Sequence, residues 1–167
     1  TAVERDTMKA MVARAMEDGA FGVASALIYP PNTYASTEEL VEAAKAMSPY
    51  GGVYITHMRS EGDKFLEAID EALRIGREGN VPVEIYHLKA AGKTNWTKLD
   101  AVIKKVEAAR AEGLKITADM YTYTAGSTGL DAAMPPWVQE GGYKPWAGRL
   151  KDPATRKRVM REMATPT

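Results

Sequence analysis

The chain has 167 residues, no cysteine and two histidines, and its 22 basic side chains are matched by 22 acidic ones. A balanced charge with no basic stripe among aromatics argues against nucleic acid or an anionic membrane as partner. The missing cysteines exclude disulfides and thiolate metal sites, and no apolar run approaches the roughly 20 residues of a membrane span.

Hydrophobic residues at 45% and charged residues at 26% are ordinary for a globular domain with one core. The N-terminus does not read as a signal peptide, so a cytoplasmic location is the expectation. The chain opens directly on a charged amphipathic segment, which reads as a piece of something longer.

In chain order, residues 4–18 read as a helix, with Met8, Met11, Val12, Ala15 and Met16 on one face and Gly19 as its stop. GAFGVASALIYPP is apolar and bounded by Gly and Pro, as expected of a buried strand. Residues 32–36 form a loop, and Ser36 or Thr37 can cap the next helix, with Glu38 and Glu39 where the macrodipole favours negative charge. That helix ends near Ser48-Pro49. GGVYITH is a second strand that stops at His57. A helix from Asp63 carries Phe65, Leu66, Ile69, Leu73 and Ile75 mostly on one face and ends at Gly79-Asn80. VPVEIYH is a third strand, and it stops at His87.

Thr94 or Asn95 can cap a helix over residues 96–111, whose buried face is Leu99, Val102, Ile103, Val106 and Ala109. Gly113 stops it, and LKITADM is a fourth strand. From Tyr121 onward the texture turns loop-like, with residues 130–152 a loop-rich segment, and a charged helix over 153–163 closes the chain. Strands alternating with helices of this length argue for parallel βαβ units with right-handed crossovers. An open doubly wound sheet and part of a (β/α)₈ barrel both satisfy the pattern.

The two histidines are the first candidates for chemistry. A lone histidine at a strand end is more often a hydrogen-bonded structural residue. Two at the same end of consecutive parallel strands, which lie about 4.8 Å apart, can converge on one metal ion. Sites in α/β folds gather beyond the carboxyl ends of the strands. Tyr29, Arg59, Lys89, Tyr121 and Ser127 follow the strand ends, and together they suit an anionic, carboxylate-bearing substrate. AGSTG lacks the Gly-Lys-Ser/Thr ending of a phosphate loop, so a tight turn offering Ser127 is the better reading. Glu84 and Asp119 read as structural. On a regular strand Glu84 shares a face with Tyr86 and points away from His87.

Four ordered motifs, GAFGVASALIYPPNTYAS, YITHMRSEG, EIYHLKAAG and ADMYTYTAGSTGL, resemble the N-acyl-D-amino-acid deacylases (D-aminoacylases) of the amidohydrolase superfamily. The resemblance covers nearly the whole chain. It implies an α/β fold that is a partial (β/α)₈ TIM barrel, about strands four to seven, with residues 1–167 as a single fragment of that domain. It also implies zinc as cofactor, with His57 and His87 as metal ligands. Tyr29, Lys89, Tyr121 and Ser127 match the positions that hold the substrate carboxylate, and an N-acyl-D-amino acid is the implied partner. Arg59 sits in the family's His-x-Arg pattern without an assigned role.

The departures bear on activity. Family members carry a His-x-His motif, a bridging cysteine or equivalent ligand, and an aspartate that serves as general base. None of these can be placed here, so no catalytic residue is assigned. Catalytic zinc normally has three protein ligands, and a barrel needs about 250 residues. The isolated chain is therefore expected to be inactive. Two other readings stand beside this one: a non-catalytic half-barrel that forms homo-oligomers through its sheet edges, and a related amidohydrolase acting on dipeptides or cyclic amides.

Overall fold

The computed structural model describes residues 1–165. Its centre is a four-stranded parallel sheet of β1 (Gly22–Ala26), β2 (Val53–His57), β3 (Val83–Ile85) and β4 (Ile116–Ala118), in that spatial order. Residues Ala24, Ile55, Glu84 and Thr117 lie in register across it. Helix α1 (Ala2–Glu17) precedes the sheet, and α2 (Thr37–Met47), α3 (Phe65–Gly79) and α4 (Leu99–Ala111) make the three crossovers. Consecutive strands stay neighbours, so all four chain ends of the sheet point the same way.

The two faces of the sheet differ. Tyr54, Thr56, Val83, Ile85 and Ile116 are buried against the helices, together with Met47, Phe65, Ile69, Ile75 and Val102. A buried side-chain network joins two strands on this face, with Ser25 Oγ 2.7 Å from the Tyr54 hydroxyl and 3.1 Å from Thr56 Oγ1. Residues on the opposite face, Ala24, Val53, Ile55, Glu84 and Thr117, are half-buried or exposed. The helices thus cover one face of the sheet and leave the other open.

Helix ends follow local chemistry. Ser36 and Glu39 form a capping box: Ser36 Oγ accepts from the Glu39 N–H at 3.2 Å, and Glu39 Oε2 accepts from the Ser36 N–H at 2.9 Å. Such a cap is worth about 1 kcal/mol. Helix α3 ends on Asn80, which takes a left-handed φ of 53°. A side chain at Gly79 would put its Cβ 2.5 Å from Ala44 Cβ, so this glycine permits the close approach of α3 to α2.

Two expectations are corrected, and one apolar face lacks a full partner. The face of α1 is only partly covered: Met16 is buried and Val12 half-buried, while Met8, Met11 and Ala15 are exposed. Helical periodicity marks an apolar face but does not supply its neighbour. Leu99 and Ile103 on α4 are exposed for the same reason. Neither Thr94 nor Asn95 caps α4, because a 3₁₀ segment over Lys93–Lys98 runs straight into it, and the Asn95 amide instead donates to the Ala91 carbonyl at 2.8 Å.

The region after β4 holds more helix than its turn-rich texture suggests. A 3₁₀ turn (Leu130–Ala133), α5 (Pro136–Gln139) and α6 (Tyr143–Arg149) lead to α7 (Pro153–Met163). Trp137 ties this region together: its indole N–H donates to Glu162 at 2.6 Å and the Arg158 guanidinium lies 3.9 Å over its ring. Among the described residues no helix is long and apolar enough to cross a membrane.

Candidate metal centre

The functional groups gather where the strands end. His57 is the last residue of β2 and lies on the less buried face with Val53 and Ile55. His87 lies two residues past β3, and simple alternation would place it on the helix side with Val83 and Ile85. It does not stay there, because its backbone turns to a φ of 39°. Positive φ is uncommon outside glycine, and histidine is among the residues that tolerate it. The turn brings His87 Nε2 to 2.9 Å from His57 Nδ1. Asp119 stabilises this conformation from β4's end: its carboxylate accepts from the His87 N–H, its carbonyl accepts from Leu88 N–H at 2.8 Å, and its own N–H donates to Ile85 O at 3.1 Å.

Around the imidazole pair stand the remaining polar groups. Glu61 Oε1 is 3.0 Å from His87 Nδ1 and 2.7 Å from Lys89 Nζ. The Lys89 ammonium also donates to the His87 carbonyl at 3.0 Å and lies 5.0 Å from the Tyr121 ring centre. Tyr29 places its ring 5.5 Å from that of His57, and its hydroxyl bonds the Thr128 hydroxyl. Tyr121 lies 5.6 Å from His87 and stacks on Tyr123. Ser127 is exposed in the same loop, beside the Thr128 that reaches Tyr29. His57, His87, Tyr29, Lys89 and Tyr121 are thus brought into one cluster, with Ser127 at its rim.

Arg59 lines the cleft beside His57, but its guanidinium is engaged within the fold. Its guanidinium makes three bonds to the Glu71 carboxylate, at 2.9, 3.0 and 3.2 Å, and donates to the Thr33 and Ala35 carbonyls. It clasps α3 to the loop before α2. Glu84 accepts a hydrogen bond from the Thr117 hydroxyl, a cross-strand contact consistent with a structural role. Glu61 is the residue that sequence reasoning passed over. Its signal was its place four residues after His57, within a motif already singled out.

The donor chemistry can be tested for a metal. Among the described residues His57, Glu61 and His87 offer donor atoms that all lie within 4.8 Å of one another. His57 Nε2 is buried without a hydrogen-bond partner, an unusual condition for a buried polar atom. Burial lowers the pKa of His57, the nearby His87 and Lys89 lower it further, and Glu61 opposes them. The net effect favours the neutral, metal-binding form. Imidazole nitrogens with a carboxylate nearby suit zinc. Beside His57 opens a cleft of about 800 Å³, lined in part by Ile28, Glu61, Ala68, Ala91 and Pro136, a size suited to a small molecule.

No protein-family model matches the chain. The D-aminoacylase of Alcaligenes xylosoxydans xylosoxydans is 42% identical over 123 residues, which are 74% of this chain and 25% of that enzyme. A crystal structure of D-aminoacylase superposes with a TM-score of 0.72 at 42% identity, covering 75% of this chain and 26% of that one. The N-acyl-D-glutamate deacylase of Bordetella bronchiseptica, solved with zinc and a phosphonate mimic of the tetrahedral intermediate, superposes with a TM-score of 0.72 at 31% identity, over 74% and 26%.

The parallel sheet and its crossover helices are therefore part of an amidohydrolase TIM barrel. Within that class the chain belongs to the N-acyl-D-amino-acid deacylases, and it spans about a quarter of the length of the relatives it matches.

Proposed function

We propose that this chain supplies one side of a zinc-dependent site that hydrolyses the amide bond of N-acyl-D-amino acids. The observation that carries the reading is the convergence of His57 Nδ1 and His87 Nε2, 2.9 Å apart, where the strands end. His57 and His87 would hold the metal, which supplies Lewis acidity to the amide carbonyl and the attacking water.

The chain's own residues bind and orient. Lys89 presents a cation beside the imidazole pair and, with the hydroxyls of Tyr29 and Tyr121, suits the carboxylate of an acylated D-amino acid. Ser127, at the rim, is assigned to the same carboxylate. The neighbouring cleft receives the rest of the substrate. Neutral His57 is ready to donate a lone pair. No residue of the chain is assigned as general base, and two histidines fall short of the three protein ligands usual for catalytic zinc. The isolated chain is therefore proposed to be inactive. The test is release of D-amino acid from N-acetyl-D-amino acids with added zinc, for which substantial turnover would contradict the assignment.

Self-association is a second reading, favoured by the sheet itself. Among the described residues β1 and β4 each pair on one side only, and the sheet's less buried face stays open. Exposed edges template pairing with another chain. Sedimentation of the purified chain decides it, since a monomer at high concentration would rule it out.

A further inference from the structure

We infer that Glu61 is a positioning residue that sets the orientation of His87 and holds Lys89 beside it, without itself ligating the metal. The inference rests on the metal reading of His57 and His87. An imidazole presents its two nitrogens in divergent directions. His87 directs Nε2 at His57 Nδ1, 2.9 Å away, and Nδ1 at Glu61 Oε1, 3.0 Å away. An ion shared by the two histidines would be held through His87 Nε2, while the Glu61 carboxylate engages Nδ1 across the ring.

His87 Nδ1 has two close neighbours, Glu61 Oε1 and Lys89 Nζ, the latter at 2.9 Å. They demand opposite roles of it, because the carboxylate accepts a proton and the ammonium gives one. With Nε2 given to a metal, His87 would carry its proton on Nδ1, Glu61 would accept that hydrogen bond, and Lys89 would keep its donors on Glu61 and on the His87 carbonyl, 3.0 Å away. A carboxylate on the far nitrogen of a metal-binding histidine fixes the tautomer, holds the ring and raises its basicity.

Glu61 is itself well held. Its side chain is 10% exposed, and its carbonyl accepts from the Ala91 N–H at 2.8 Å. Lys98 bonds the next carbonyls, those of Gly62 and Asp63. The loop after β2 is thus fastened to the segment after β3, and one oxygen of Glu61 ties a metal-binding histidine to the lysine suited to the substrate carboxylate.

The experiment compares the wild-type chain with Glu61→Ala, Glu61→Gln, His57→Ala and His87→Ala. Zinc affinity is measured by competition with a chromophoric chelator, and the cobalt-loaded chains are compared by absorption spectroscopy. Glu61→Ala is expected to weaken zinc binding by about 10- to 100-fold. Glu61→Gln, whose amide oxygen can still accept from Nδ1, should lose less. The cobalt bands should keep their positions in both, and metal-free melting should exclude a folding defect as the cause. Wild-type affinity in both Glu61 variants would overturn the inference while the histidine variants remain weak. Displaced cobalt bands would make Glu61 a ligand and overturn it too. Undiminished binding in the histidine variants would overturn the metal reading and this inference together.

Discussion

Asp119 holds His87 in its left-handed turn: the carboxylate at the end of β4 accepts the backbone N–H of a histidine whose φ is 39°. Without that turn the His87 ring would face the helices instead of His57. The candidate metal centre therefore depends on a backbone conformation as much as on its side chains. Residues in sparsely populated backbone regions persist only where their surroundings hold them.

Replacing Asp119 with alanine should lower the stability of the chain by about 1 kcal/mol, since the lost bond is charge-assisted but exposed. The same change should weaken zinc binding severalfold by loosening His87. Chemical denaturation and zinc titration of the variant measure the two effects. Unchanged zinc affinity would show that His87 keeps its place without Asp119.

Arg59 should prove structural. Glu71 is 11% exposed and Arg59 33% exposed in their ion pair, so removing the arginine strands a mostly buried carboxylate. Arg59→Met should cost about 1–3 kcal/mol, less than for a fully buried pair because part of the arginine is solvated. Zinc affinity, corrected for any unfolded fraction, should not move. Lysine should fail to restore stability, because it cannot reproduce the forked contact with Glu71. Loss of zinc binding in a stable Arg59 variant would contradict this.

Acid should loosen α1 from α2. Hydrogen bonds from Lys45 and Lys9 pull the Glu42 carboxyl from 4.5 down to about 2. A carboxylate depressed in the folded state contributes stability that is fully present above its unfolded pKa and is lost as pH falls through the folded value. The contribution should hold at pH 5 and fade between about 4.5 and 2. Hydrogen exchange of the α1 amides, compared at pH 5 and pH 3 in wild type and Glu42→Gln, reads it. An α1 equally protected at both pH values in wild type would contradict the prediction.

Much of the architecture was legible because each strand is a short apolar run closed by a turn or a polar residue. The helix over Pro153–Met163 also lies where its sequence places it. The strands came out shorter than their apolar runs, β3 being only Val83–Ile85, because the chain turns away from the sheet before the hydrophobic pattern ends. Met8 and Met11 show another limit, since an apolar stripe does not reveal whether anything packs on it. At the site, strand alternation placed Glu84 away from His87, but alternation stops at Ile85 and does not govern the histidine. That reversal depends on Asp119, 32 residues away, which no local pattern reports. Glu61 was hidden for a similar reason: its contacts with His87 and Lys89 cross two loops.

The most direct test of the central claim is zinc titration of the purified chain beside His57→Ala and His87→Ala. One zinc per chain should bind weakly and saturably, and this binding should be lost in either variant with little change in fold. Zinc binding that survives both substitutions undiminished would contradict it.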